Sequence, residues 1–139
     1  MPDPEATIFA RILDGEIPCH RVYEDDHVLA FLDVGPISRG HTLLIPKERV
    51  ASLHEMSPDA GAALGRVLPR LAGAIVKATG ADAYNVLLNN GARAGQEVMH
   101  VHVHVIPAYE EAGLRHGWKS GTLDADDAAT LIASIDQHL

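Results

Sequence analysis

Three histidines, His100, His102 and His104, alternate with Val101, Val103 and Val105 in the segment Gly95-Gln96-Glu97-Val98-Met99-His100-Val101-His102-Val103-His104-Val105-Ile106. Successive side chains of a strand point to opposite faces. The spacing therefore predicts three imidazoles on one face. Met99, Val101, Val103 and Val105 take the other, where they can pack under helices. A strand whose outer face is merely solvated would more often carry Thr, Ser, Lys or Glu.

Two chemistries fit such a row. One is metal ligation, for which His-x-His is a common pair. Along a strand, however, His100 and His104 lie about 13 Å apart, too far for one ion with ligand bonds of about 2 Å to take all three rings. Further ligands would have to come from His20, His27, His41, His54, His116 or His138, none of which has ligand spacing. The other is nucleophilic catalysis. A neutral imidazole attacks phosphorus well near neutral pH and leaves again afterwards. It needs one nitrogen donating to a fixed acceptor and the other aimed at the reacting atom. The preceding loop, with Gly95 and Gln96, allows close backbone approach and supplies an amide for phosphate oxygens.

The elements that must position these rings read as follows. Ile8, Phe9, Ile12 and Leu13 recur at helical spacing, and Gly15 stops them. Arg21 to Glu24 and His27 to Asp33 form a hairpin about a turn at Asp25-Asp26. Gly35-Pro36 and Arg39-Gly40 punctuate a loop, and His41 to Ile45 is a third strand ended by Pro46. Ser57-Pro58-Asp59 starts a helix, with a capping hydroxyl, a first-turn proline and a carboxylate at the positive end of the dipole. Leu64, Val67, Leu68, Leu71, Ile75 and Val76 line one face of it up to Gly80, and Pro69 is expected to kink or split it. Ala83 to Asn89 is a fourth strand, Asn90 to Gly95 a loop, and Val98 to Ile106 a fifth strand closed by Pro107. Asp124 caps a final helix carrying Leu131, Ile132 and Ile135. The sum is an α+β domain with a mostly antiparallel five-stranded sheet and flanking helices.

Composition bounds the answer. The chain has 139 residues, 47% of them apolar and 22% charged, as in a folded globular domain. A net charge of -8 argues against a nucleic-acid groove binder, which needs surplus Lys and Arg. Cys19 is the single cysteine, so one chain can build neither an internal disulfide nor a multi-cysteine zinc site. The acidic start, Met1 to Glu5, is unlike a signal peptide, and no apolar run approaches the roughly 18 residues of a membrane span. The expected compartment is the cytoplasm, with neither nucleic acid nor membrane as partner.

The histidine row, with Gly95-Gln96 before it, resembles the signature of the histidine triad (HIT) family of nucleotide hydrolases and transferases. Ile17-Pro18, Tyr23-Glu24-Asp25-Asp26, Ala30-Phe31-Leu32-Asp33 and Gly40-His41-Thr42-Leu43-Leu44-Ile45-Pro46-Lys47 resemble that family's N-terminal half in order and spacing. The resemblance spans residues 7–108 of a single domain, 1–139, and is strongest to the Hint branch of purine nucleoside phosphoramidases, bacterial members included. Residues 109–139 form a C-terminal extension with a helix. The resemblance implies hydrolysis of nucleoside 5′-phosphoramidates, with a dinucleoside polyphosphate hydrolase or a non-catalytic nucleotide-binding module as alternatives.

It also implies roles. His102 matches the nucleophile that forms a nucleotidyl-histidine, and His100 orients it, chiefly through its backbone carbonyl. His104 matches a phosphate contact and His41 a fourth pocket histidine. Asp33 matches the acceptor of the ribose hydroxyls. Asn90, Gly95 and Gln96 match phosphate-pocket positions, and Ile8, Phe9, Ile12, Phe31, Val34 and Leu43 the apolar slot for the base. The partners implied are a purine nucleoside monophosphate or its conjugates and a second copy of the chain, paired into a continuous sheet. No catalytic metal or cofactor is required.

Three positions depart from the pattern. Some bacterial relatives hold a structural zinc with a Cys-x-x-Cys near the N-terminus and two histidines; here those positions match Thr7 and Ala10, so no structural zinc is expected. Glu97 stands where eukaryotic Hint proteins have a serine near the leaving group. As a carboxylate it is open to three readings: a general acid, a repulsive charge, or a solvated surface residue. After Tyr109 the match is loose, and Trp118 fits the active site, a dimer contact or the surface equally well.

Overall fold

The computed structural model describes residues 3–115 and 117–139, so Met1, Pro2 and His116 lie outside the described residues. Strands β1 (Arg21–Glu24), β2 (Val28–Leu32), β3 (Thr42–Pro46), β4 (Ala83–Leu87) and β5 (Val103–Ala108) form one sheet in the order β1-β2-β3-β5-β4, every pair antiparallel. Helices α1 (Ile8–Leu13), α2 (Pro58–Thr79) and α3 (Ala125–His138) accompany it. The β1–β2 hairpin closes on Asp25, whose Oδ1 accepts the backbone N–H groups of His27 and Val28.

Alternation along the strands splits the apolar side chains between two cores. Val28, Ala30, Leu44, Val103 and Val105 face α2, where they meet Leu64, Val67, Leu71 and Ile75. Leu29, Phe31, Leu43 and Ile45 face the other way and pack with Phe9 of α1. Each such side chain, fully buried, is worth about 1.5–3 kcal/mol. The second core forms the floor and wall of the site.

Helix α2 begins as expected, with Ser57 Oγ accepting from Ala60 N at 3.1 Å, and ends at Gly80, which adopts φ 73°. The expectation that Pro69 splits it is not met. The helix runs on without a break, because Pro69 and Gly65, whose carbonyl loses its partner, both face solvent, where water replaces the missing bond.

Two strands differ from the sequence reading. The fourth ends at Leu87 rather than Asn89. The fifth begins at Val103, five residues later than expected, and continues through Pro107 to Ala108, with Pro107 opposite Tyr84. Residues 98–100 bend and 101–102 stay outside the ladder: the amide of Val101 donates to the carbonyl of Val50 at 2.9 Å instead of to a strand neighbour. Val101 still turns into the α2 core, whereas Met99 is half-buried against Asp3 and Thr7 rather than under a helix.

Asp124 caps α3 through Oδ2 to Asp127 N at 2.9 Å. This helix buries no residue, and Leu131, Ile132 and Ile135 stand exposed, as does Trp118 before it.

Candidate active site

The four histidines of the site are held in defined tautomers by hydrogen bonds. His100 is fully buried, and its Nε2 lies 2.9 Å from the Pro46 carbonyl. A carbonyl only accepts, so Nε2 carries the proton. Nδ1 is left as a buried lone pair with no partner among the described residues. His102 Nδ1 lies 2.7 Å from the carbonyl of His100 and must likewise donate, which leaves a free lone pair on Nε2.

The second pair is arranged the other way round. His41 Nδ1 accepts from the amide of Ile37 at 3.0 Å, so Nε2–H is its donor, and that donor meets His104 Nδ1 at 2.8 Å. The proton of His104 therefore sits on Nε2. Asp33 Oδ2 approaches the same His41 Nε2 at 3.5 Å, while its Oδ1 accepts from Gly35 N at 2.8 Å.

Local structure explains the convergence. Leu43 pairs with His104 across β3 and β5, and His41, two residues before Leu43, lies on the same face. The Asp33–His41 loop is pinned at its neck, Asp33 N donating to His41 O at 2.9 Å, and at Ser38, whose hydroxyl donates to Pro107 O at 2.6 Å. Gly40 has φ 92°, and a Cβ there would come within 2.6 Å of Thr79 Cγ2, so the loop closes on α2 only with glycine. Phe9 sets its ring edge-on to His102, centroids 5.0 Å apart, with Phe31 behind it at 5.6 Å.

Burial keeps these rings neutral. Desolvation lowers the pKa of His41, His100 and His102 below 6.5. His104 is pushed down to about 4, by burial first and by the neighbouring His102 and His41 after it. A neutral imidazole with its proton fixed on Nδ1 has the Nε2 lone pair that nucleophilic attack requires.

His102 and His104 line a cavity of about 420 Å³. Of the residues expected around a nucleotide, Ile8, Phe9, Ile12, Phe31 and Leu43 form its apolar wall, and Asp33, Val34 and Glu97 its rim. His100 and His41 stand behind the lining, hydrogen-bonded to His102 and His104 respectively. Asn90, Gly95 and Gln96 do not line the cavity. Asn90 Oδ1 accepts from Leu53 N at 2.7 Å. Gln96 is buried, taking the Gly91 amide on Oε1 and giving Nε2 to the carbonyls of Ala51 and Val98. Gly95 supplies a left-handed turn, φ 95°, that ends the Ala92–Ala94 helical turn. These residues shape the loop that delivers Glu97 and Val98. Sequence reasoning missed Ile17, Pro18, Cys19, Leu32 and Val98 as lining residues. The Ile17-Pro18 pair was the available signal, since it resembled the family without being assigned a place.

Distance alone would allow a metal at Asp33, His41 and His104, whose ligand atoms lie within 4.8 Å of one another, although spacing along the chain gave His41 no such part. The tautomers oppose it. With the Ile37 amide on Nδ1, His41 presents an N–H and not a lone pair toward His104. Ligation would need an imidazolate or loss of that backbone bond. The cluster is built as a hydrogen-bonded chain.

Comparison with known proteins places the chain among these. The HIT domain model matches residues 14–111. The chain is 46% identical over 133 residues to an adenosine 5′-monophosphoramidase of Schizosaccharomyces pombe, covering 95% of this chain and 97% of the relative. It is 43% identical over 139 residues to an adenylylsulfatase of Arabidopsis thaliana, covering 95% of this chain and 68% of the relative. A crystal structure of a HIT family protein from Bacillus anthracis superposes with a TM-score of 0.92 at 38% identity, covering 97% and 98% of the two chains.

Proposed function

The chain belongs to the HIT domain family and is one of its nucleotide hydrolases, and from that premise we propose that it cleaves purine nucleoside 5′-phosphoramidates through a covalent intermediate on His102. The observation that carries this is the fixed tautomer: Nδ1–H of His102 is committed to the carbonyl of His100, leaving the Nε2 lone pair on a neutral ring that lines the cavity.

In this reading the base enters the slot of Ile8, Phe9, Ile12, Phe31 and Leu43, beside Val34. The ribose hydroxyls donate to Asp33, and the Nε2–H of His104, oriented by His41, donates to a phosphate oxygen. The lone pair of His102 forms the N–P bond as the P–N bond of the substrate breaks. The amine leaves with that electron pair and takes a proton from solvent. Water then adds to phosphorus and returns a proton to solvent, and the N–P electrons go back to His102. The sum is phosphoramidate plus water giving amine and nucleoside monophosphate. Positioning and preorganised donors supply the catalysis, and no step needs a metal or cofactor.

The positions that hold a structural zinc in some relatives do not fit one here. Thr7 spends its hydroxyl capping α1 at Ala10 N, 3.0 Å, and Ala10 is fully buried and offers no donor. Arg49, paired with Glu5 and Asp14, fastens the N-terminal segment in its place.

A homodimer completes the proposal. The outer strand β4 has one unpaired edge, Tyr84 and Val86 are about half exposed on it, and α3 presents Leu131 and Ile135 uncovered. Light scattering at micromolar concentration should report twice the chain mass; a monomer contradicts the pairing.

The test of the chemistry is His102→Ala. It should lose turnover of an adenosine phosphoramidate by about 10⁴-fold or more while still binding adenosine monophosphate, measured by calorimetry. Substantial hydrolysis by this variant overturns the assignment.

A further inference from the structure

We propose that Glu97 is a specificity-determining residue that selects a leaving amine bearing a second, distal positive charge. This rests on the phosphoramidase reading and names the other half of its substrate. A shallow, open groove adjoins the nucleotide cavity and shares Ile8, Glu97 and Val98 with it. Glu97 is exposed on the wall between them. With the base in the slot around Phe31 and Leu43 and phosphorus at His102, the group on the far side of phosphorus leaves past Glu97 into this groove.

Its wall is built for a particular shape and charge. Ala6, Ile8, Val98 and Met99 offer an apolar track, and Asp3 and Glu97 place two carboxylates on it. Among the described residues no Lys or Arg lines it, and the guanidinium of Arg49 is engaged by Glu5 and Asp14. A methylene stem ending in an ammonium matches both features. Sulfate or a polyphosphate tail would bring negative charge against both carboxylates.

The experiment compares two adenosine 5′-phosphoramidates of equal length, one of n-hexylamine and one of its ω-amino analogue. At low ionic strength the intact enzyme should favour the ammonium substrate by about fivefold in kcat/KM, mostly through KM, as expected for partly exposed charges. Molar salt should bring the ratio close to one. Glu97→Gln should bring it most of the way to one at low salt, and Asp3→Asn part of the way. Equal hydrolysis of the two substrates by the intact enzyme, or a ratio unmoved by Glu97→Gln, overturns the role of Glu97 and leaves the phosphoramidase reading standing. Failure to hydrolyse either substrate sinks both.

Discussion

A single carbonyl decides what His102 can do. By accepting Nδ1–H at 2.7 Å, the backbone of His100 leaves the opposite nitrogen free, and burial keeps the ring from taking a proton there. The pH dependence follows with a definite sign. In the proposed reaction the active form is the neutral ring, and desolvation holds its pKa below 6.5. The acid limb of kcat/KM should therefore have its midpoint below 6.5, with activity retained as pH falls through the ordinary histidine range. A midpoint at or above 6.5 would mean that the ring is more solvated, or more strongly stabilised by Asp33, than its burial implies. The His41–His104 chain is set by the same logic, with the Ile37 amide in the role that the His100 carbonyl plays for His102, and the opposite tautomer results.

The short helix α1 carries Phe9 to the face of His102 and Ile8 and Ile12 to the slot, yet six residues make little helix on their own. What holds it down is Arg49, just after β3, which reaches Glu5 before the helix and Asp14 after it; its own side chain is 22% exposed. Arg49→Ala should free this roof and raise KM roughly three- to tenfold with kcat nearly unchanged, in proportion to two partly screened ion pairs. A drop in kcat at constant KM would place Arg49 in the chemistry instead. The contrast between such elements and those legible in the sequence is physical. The caps of α2 at Ser57 and Gly80 are local chemistry, and a few residues sufficed to place them. The side shared by the three histidines was legible too: His100 and His102 both meet Phe9, and His102 meets His104. The start of β5 was not, because the sequence does not reveal that the Val101 amide bonds to Val50 rather than to a strand. Nor was the partner of His104, which lies 63 residues away and depends on the β3–β5 register. Asn90 and Gln96 have the polar groups of a phosphate pocket, and only the fold reveals that backbone amides and carbonyls consume them.

At the scale of the whole molecule, four neutral histidines, His41, His100 and His102 buried and His104 half-buried, link folding to acidity. The unfolded chain binds protons on these side chains near pH 6.5, whereas the folded rings refuse them, that of His104 until about 4. The unfolded state thus holds more protons across that window, and stability rises with pH there. Lowering the pH from 6.5 toward 4 should depress the urea midpoint progressively, and below that window the loss of the Asp14–Arg49 and Glu24–Lys47 pairs adds to it. A flat midpoint across the window would contradict the desolvation of the four rings. The sheet divides its labour between its two sides: the α2 side carries most of the packing, and the α1 side borders the cavity. Side chains proposed to face the nucleobase can consequently be exchanged without touching the bulk of what keeps the chain folded. Such a layout is evolvable, because base preference is free to drift, or to be re-engineered at positions such as Ile8 and Ile12, while the scaffold endures.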